Sequence, residues 1–436
     1  MLKQIGQINH KGGRAMKTRF FACLVILLAI LVTLPPYPAF GAKAIVIGCP
    51  LSTGFPDGVD AERALRLAVE EINAAGGVNV AGENRPFKLE VMDTRDLEPG
   101  VPVSEALLAV EKLILGKEAD FILGGPIRSE AALAAMDLIS RYKKVSIISA
   151  GVLTPAYHKR VAENYDKYKY CFRMTGNVVT EIRESVGILE SIKAKHGFNK
   201  VFIMVQDVAH ARAAGGKIKS MLEDKGWNVV GFEKYPTGST DFSMGLLKAK
   251  GVGTQTLFYW FDMPEISILT KQWFDMKIEA LPIGFGASMA DSTFWDATGG
   301  KCAYWVNVWP RAGCISSEAI PLATKFIKAY KGKHGVEPGV TWVSPVSYQA
   351  VYVLADAIRR AGTIEPHKVI AALENTDLES VWGRTKFDRQ SHQIIYSDDP
   401  MKGALTTWAQ WLDGKRVVVF PPKIATTAIK LPPWMK

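Results

Sequence analysis

Residues 64–78 read Ala-Leu-Arg-Leu-Ala-Val-Glu-Glu-Ile-Asn-Ala-Ala-Gly-Gly-Val, and the fold is argued from them outward. Leu65, Ala68, Ile72 and Ala75 recur at spacings of three and four, while Arg66, Glu70 and Asn73 fall elsewhere. That spacing predicts a helix with one apolar stripe, and Gly76 with Gly77 supplies its stop. Just upstream, Ala44 to Cys49 reads as a short strand, and residues 51–58 form a polar, glycine-containing loop. Strand, loop and helix in this order predict a parallel α/β sheet, whose ligand crevice lies beyond the carboxyl ends of its strands. A helix N-terminus there can meet an anion.

The same grammar repeats downstream. Strands are expected at 87–92, 121–124 and 145–149, with helices at 103–115 and 130–142. After Tyr170-Cys171-Phe172-Arg173-Met174-Thr175 it restarts: a helix to about Lys195, then strands at 201–205, 229–232, 256–261, 281–284 and 304–309, alternating with helices at 211–225 and 264–276. Helices at 318–331 and 346–361, and a third after Pro366, precede short extended pieces at 384–387, 393–396, 406–411 and 417–420, read as antiparallel edge strands. A chain of 436 residues with 48% apolar content suits two globular units rather than one core.

The first 42 residues hold five bases (Lys3, Lys11, Arg14, Lys17, Arg19) and no acid, so 48 bases face 43 acids beyond them and the formal +10 falls to +5. Without basic runs in the remainder, a nucleic-acid role has no electrostatic footprint. Lys17 and Arg19 precede the apolar run Phe20 to Leu34, then Pro35-Pro36-Tyr37-Pro38 and the small-residue site Ala39-Phe40-Gly41-Ala42. This is the pattern of a secretory signal over residues 1–42, starting at Met16 and cut after Gly41 or Ala42. The run falls short of the roughly 20 residues a spanning helix needs. Val46-Ile47-Gly48-Cys49 is similar to a lipoprotein box; with prolines and a cleavage site between it and the apolar run, Cys49 is instead expected to end the first strand. Of the mature cysteines, Cys302 and Cys314 are near enough in sequence for a local bridge, Cys49 and Cys171 read as buried strand residues, and no spacing suggests zinc or another cofactor site.

Taken in order, several segments resemble the type I periplasmic solute-binding proteins that serve branched-chain amino acid ABC importers. They are the 64–78 helix, Phe121-Ile122-Leu123-Gly124-Gly125 with Ser129, Ile147-Ile148-Ser149-Ala150-Gly151 with Thr154-Pro155, Phe172-Arg173, Asp241-Phe242, Tyr348 with Ala350, and Gly383 with Phe387-Asp388. The resemblance spans the mature chain. It implies two discontinuous Rossmann-like lobes joined by three crossovers near Met174, Pro310 and Thr385. Lobe I would hold residues 43–174 and 311–384, and lobe II residues 175–310 and 385–436. It also implies hinge closure on a solute, delivery to a membrane permease, a periplasmic location and a monomeric receptor without enzymatic activity.

Site residues follow from the strand-end loops. A serine at the position of Ser129 helps hold the solute carboxylate in similar proteins, which suits a hydroxyl beside helix N-terminal amides; its other role is to cap that helix. Arg128, where relatives carry a small polar residue, could fork onto a carboxylate or lie on the lobe surface. The next loop, Ser149 to Thr154, offers the Val152 backbone and the Thr154 hydroxyl, although Leu153 is the residue directly matching the family threonine. From lobe II, His210 stands where relatives often carry an aromatic residue, and Phe261 and Asp262 follow a strand; Asp262 could bind an ammonium or cap the helix after it. Gly286 departs most: amino-acid binders often hold an acid there, and an unpaired buried ammonium would cost several kcal/mol. Either Asp57 or Asp262 replaces it, or the solute is a non-amino aromatic or keto acid or an amide.

A sensory ligand-binding module and a secreted enzyme are the competing classes. Neither dinucleotide, phosphate-loop nor zinc-protease motifs occur, and Gly286-Ala287-Ser288-Met289-Ala290 lacks the second glycine of a nucleophile elbow. The receptor class stands, with a branched-chain or other apolar amino acid as the expected solute.

Overall fold

The computed structural model describes residues 42–291, 293–309, 314–315, 317–340 and 342–435. The expected leader, and the crossover expected near Pro310, lie outside them. Among the described residues no helix is long and apolar enough to cross a membrane.

The described residues begin with β1 (Ile45–Leu51) and α1 (Pro56–Ala74), the short hairpin β2 (Val78–Val80) and β3 (Glu83–Arg85), and β4 (Phe87–Asp93). There follow α2 (Val103–Leu115), β5 (Phe121–Gly124), α3 (Ser129–Tyr142), β6 (Val145–Ile148), α4 (Ala156–Glu163), α5 (Tyr165–Tyr168) and β7 (Cys171–Arg173). The sheet order is β4-β1-β5-β6-β7, and all its pairings are parallel, Ile47 facing Phe121 and Leu123 facing Ile147. Such a sheet is covered on both faces, so β1 is almost wholly buried and Cys49 lies fully inside it.

A second run supplies α6 (Val178–His196), β8 (Lys200–Gln206), α7 (Ala209–Asp224), β9 (Asn228–Tyr235), α8 (Ser243–Gly251), β10 (Thr256–Phe261), α9 (Ile266–Asp275) and β11 (Leu281–Gly286). A 3-10 turn over Ala287–Ala290, α10 (Phe294–Ala297) and β12 (Val306–Trp309) complete it. The order is β16-β15-β12-β11-β10-β8-β9. Its last two members in sequence, β15 (Thr407–Leu412) and β16 (Lys415–Phe420), join antiparallel, as expected of the tail. Strand alternation divides the second core: Ile203, Val205, Phe258 and Trp260 pack on one face, Met204, Leu257, Tyr259 and Phe261 on the other. Between β12 and β15 in sequence come α11 (Pro321–His334), α12 (Ser344–Ala361), α13 (Pro366–Glu374) and the hairpin β13 (Leu378–Ser380) with β14 (Gly383–Thr385); they return to the first core.

The structure departs from expectation at three places. Helix α1 begins at Pro56, well before the apolar stripe. Proline is favoured at a helix start because its missing N–H has no partner there, and the buried residues of the extra turns are Gly58, Asp60 and Ala61, which an apolar count does not register. A Cβ on Gly58 would lie 2.0 Å from the Ser52 carbonyl, so glycine is what lets the helix abut the β1 loop. The third crossing comes at Thr406 rather than near Thr385. Up to Leu405 the segment is held on the first lobe: Ile394 N–H donates to the Arg173 carbonyl (2.9 Å), Leu405 N–H donates to the Trp382 carbonyl (3.0 Å), and Phe387 meets Phe172 edge-on at 5.1 Å. Finally, Cys302 and Cys314 form no bridge; both are buried and outside any disulfide, as are Cys49 and Cys171.

Candidate ligand-binding cleft

The two sheets share one rule. Order reverses between β1 and β5 in the first, and between β8 and β10 in the second, and ligands of open α/β sheets bind at such switch points. The loops leaving these four strands carry Asp57, Arg128 and Ser129 on lobe I, and His210 and Asp262 on lobe II.

Asp57 falls in the first turn of α1. It is half-buried, accepts the Trp342 indole N–H (2.9 Å), and desolvation raises its carboxyl above the usual range against that bond. One turn on, Asp60 is buried and takes four donors: Tyr330 hydroxyl (2.8 Å), Val340 N–H (2.8 Å), Ser344 hydroxyl (3.0 Å) and Gly339 N–H (3.1 Å). Through it the 339–344 loop, with Trp342, is fastened to α1. Ser129 opens α3 but does not cap it; the cap position belongs to Arg128, whose side chain makes no capping bond. Arg128 N–H donates to Asp96 (2.6 Å) and its guanidinium to the Val101 carbonyl (3.2 Å).

The β6 loop is tied inward. Val152, at φ 59°, donates its N–H to the Ile127 carbonyl (3.0 Å), and its own carbonyl receives Arg173 (2.9 Å). Both backbone groups proposed from sequence for a solute are therefore engaged within the lobe. The Thr154 carbonyl also receives Arg173 (2.6 Å), and its hydroxyl oxygen accepts Ala156 N–H (3.2 Å).

On lobe II, His210 contacts Asp262 through Nε2, and that bond raises the imidazole above its ordinary value against the opposing effect of burial. Asp262 N–H donates to Gln206 (3.0 Å). Phe261 differs from its expected role: its ring is buried in the core, edge-on to Phe242 at 5.7 Å, because strand alternation turns that position inward.

A cavity of about 720 Å³ lies between elements of the two lobes. Of the eight candidates it brings together Asp57 and Asp262; Arg128, Ser129, Val152, Thr154, His210 and Phe261 do not line it. Sequence reasoning missed Trp342 and Glu337 on the lobe I wall, and Asp291 on the other; Ser288 was weighed only as a nucleophile. Trp342 comes from a segment between two helices, which a search of strand ends does not reach; its signal was an aromatic residue beside the loop Glu337-Pro338-Gly339. Its ring lies 6.1 Å from Phe285 of lobe II, which in turn lies 5.3 Å from Trp260. The Ser288 hydroxyl is buried without a hydrogen-bond partner among the described residues. Arg416 bridges the walls, donating to the Ala290 carbonyl (2.7 Å) and to Glu337 (2.8 Å).

The cavity is acidic. Arg63 pairs with Asp60 (3.6 Å) and Lys331 with Glu337 (3.1 Å), whereas Asp57, Asp262 and Asp291 have no lysine or arginine partner among the described residues. Chemically it offers carboxylates and a buried hydroxyl beside the Trp342 ring.

Comparison with known proteins agrees with this architecture. The profile of the periplasmic binding protein family matches residues 49–402. A "Leucine-, isoleucine-, valine-, threonine-, and alanine-binding protein" of Pseudomonas aeruginosa is 27% identical over 337 residues, 76% of this chain and 82% of its own. A solved chain from Silicibacter pomeroyi, assigned to a branched-chain amino acid ABC transporter, superposes with a TM-score of 0.78 at 21% identity, covering 90% of this chain and 100% of that one. A solute-binding protein of an ABC transporter from Rhodopseudomonas palustris, solved with 3,4-dihydroxybenzoic acid, superposes with a TM-score of 0.64 at 20% identity, covering 89% and 99%.

Proposed function

The chain belongs to the periplasmic binding protein family, and from that premise we propose that it is the extracytoplasmic receptor of an ABC importer, closing by hinge motion on a small zwitterionic solute, an apolar amino acid. The observation that carries this is the acid surplus of the inter-lobe cavity. An ammonium there would meet Asp57 and Asp291, which have no basic partner among the described residues, and Asp262, whose basic partner is His210, and Asp57 would lose the desolvation cost that raises its carboxyl. The acid missing at Gly286 is thereby replaced from both lobes.

The solute carboxylate is assigned to Ser129 and the Thr154 hydroxyl on lobe I, with Arg128 as a nearby cation, and His210 covers it from lobe II. Val152 shapes its loop. Delivery to a membrane permease, export by cleavage near Gly41 or Ala42, a periplasmic location and a monomeric state belong to the same reading. So does a lobe I of residues 43–174 with the segment from 311, and a lobe II of 175–310 with the tail.

A second reading has its own support. The Trp342 ring on the cavity wall, with the Phe285 ring 6.1 Å from it, suits an aromatic acid, and the Rhodopseudomonas palustris relative was solved with one. A thermal-shift screen with L-leucine, L-isoleucine, L-phenylalanine, benzoate, 3,4-dihydroxybenzoate, dicarboxylates and amides separates them. A solute at 100 times its dissociation constant adds about 2.7 kcal/mol. Shifts with amino acids and none with benzoates are expected; shifts with benzoates alone refute the amino-acid assignment.

A further inference from the structure

Arg173 ends β7 at the first crossing and is fully buried. Its guanidinium is a node. Nε donates to Gln393 Oε1 (2.6 Å), Nη1 donates to the Val152 (2.9 Å) and Thr154 (2.6 Å) carbonyls, and Nη2 lies 2.5 Å from His158 Nδ1. Gln393 passes the connection on, its Nε2 donating to the Thr175 carbonyl (2.9 Å) within the crossing itself. The backbone is knit in the same place: Arg173 N–H donates to the His392 carbonyl (3.0 Å) and Val178 N–H to the Leu153 carbonyl (3.2 Å).

Every carbonyl from Val152 to Thr154 is thus consumed from within. What remains on the loop are the Leu153 and Thr154 amides, without acceptors among the described residues, and the Thr154 hydroxyl hydrogen, since its oxygen already accepts Ala156 N–H (3.2 Å). We propose that Arg173 is the positioning residue of the solute loop: by taking its carbonyls it makes the loop a donor surface for the solute carboxylate, and through Gln393 it couples that surface to the first crossing. The proposal rests on the reading that this loop meets the solute. A planar fork of donors can hold Gln393 and both carbonyls at once; an ammonium of lysine presents a point charge without that geometry.

Three variants separate the links: Arg173→Lys loses the fork, Gln393→Ala removes its acceptor, and Gln393→Glu keeps an acceptor for Arg173 while losing the donor to Thr175. Amide hydrogen exchange on the solute-free mature chain is read at Val152 and Val178, with Phe258 in the second sheet as internal control. Exchange at Val152 should quicken about tenfold in Arg173→Lys and Gln393→Ala and stay as in wild type in Gln393→Glu, where only Val178 quickens; Phe258 stays unchanged throughout. Titration with L-leucine and 3,4-dihydroxybenzoate should then show about tenfold weaker binding of whichever solute wild type takes in the first two variants, restored in Gln393→Glu. Unchanged exchange at Val152 in both loosening variants overturns the positioning role. A loosened loop with unchanged affinity overturns the solute-site reading beneath it.

Discussion

Asp60 fastens the 339–344 loop to α1, and its removal is the severest single change that the cleft wall offers. Oδ2 accepts Gly339 N–H, Val340 N–H and the Ser344 hydroxyl, while Oδ1 accepts the Tyr330 hydroxyl. In Asp60→Asn the amide can keep its oxygen toward the three loop donors and turn its NH2 toward Tyr330, whose hydroxyl rotates to accept. The loss is then the charge assistance of the bonds, about 1 kcal/mol each, and the small contribution of the solvent-screened Arg63 pair, partly offset because no charge is buried; the net cost is about 1–2 kcal/mol. Asp60→Ala leaves the buried donors without an acceptor, at ~1–3 kcal/mol each before relaxation, and a total of about 3–5 kcal/mol results once the loop gives way. That is a large share of a stability of roughly 5–15 kcal/mol. Urea unfolding at pH 7, followed by circular dichroism and compared at equal slope, reads both. Because the loop carries Trp342, both variants should also weaken solute binding. An Asp60→Ala cost below about 1 kcal/mol, or an Asn variant costlier than the Ala variant, refutes the reasoning.

Further outcomes follow from the same geometry. Asp57→Asn keeps an acceptor for Trp342 but removes a desolvated charge, so solute-free stability should hold or rise while calorimetry shows affinity for an amine-bearing solute falling about tenfold or more and benzoate binding not weakened. The raised pKa of His210 puts its pairing energy with Asp262 fully in place below the unfolded value, near 6.5, and dissipates it as pH climbs through the folded value. The stability difference between wild type and His210→Gln should therefore be largest on the acid side and vanish in alkali, and Asp262→Asn should lower the His210 midpoint in an NMR titration. All four cysteines after residue 42 are buried and outside any disulfide, with burial raising each thiol; thiol reagents should label none in the native chain cut at Ala42 and four in denaturant, and a Cys302–Cys314 bridge would leave two.

Most of the scaffold was legible because its signal is local. Strands 121–124 and 256–261 were read to the residue from uninterrupted apolar runs flanked by turns, and α12 from its long buried stripe. The early start of α1 was hidden because burial there falls on Gly58, Asp60 and Ala61. The shifted third crossing was hidden because Phe387, Ile394 and Leu405 commit to lobe I through partners far away in sequence. In the cleft, strand-end logic found Asp57 and Asp262 on facing walls, but not Trp342, Asp291 or Glu337, whose loops do not leave a switch-point strand. It also placed Phe261 in the site when alternation sends the ring to the core.

The central claim is closure on a solute, and one distance tests it. Met263 on lobe II and Val336 on lobe I are exposed, and the buried native thiols leave engineered cysteines at these two sites free for selective spin labelling. Double electron–electron resonance on Met263→Cys/Val336→Cys should show a distance distribution that shortens and narrows with the solute that stabilises the protein, and that returns when the solute is removed. A distribution unmoved by a solute that binds and stabilises would contradict the account.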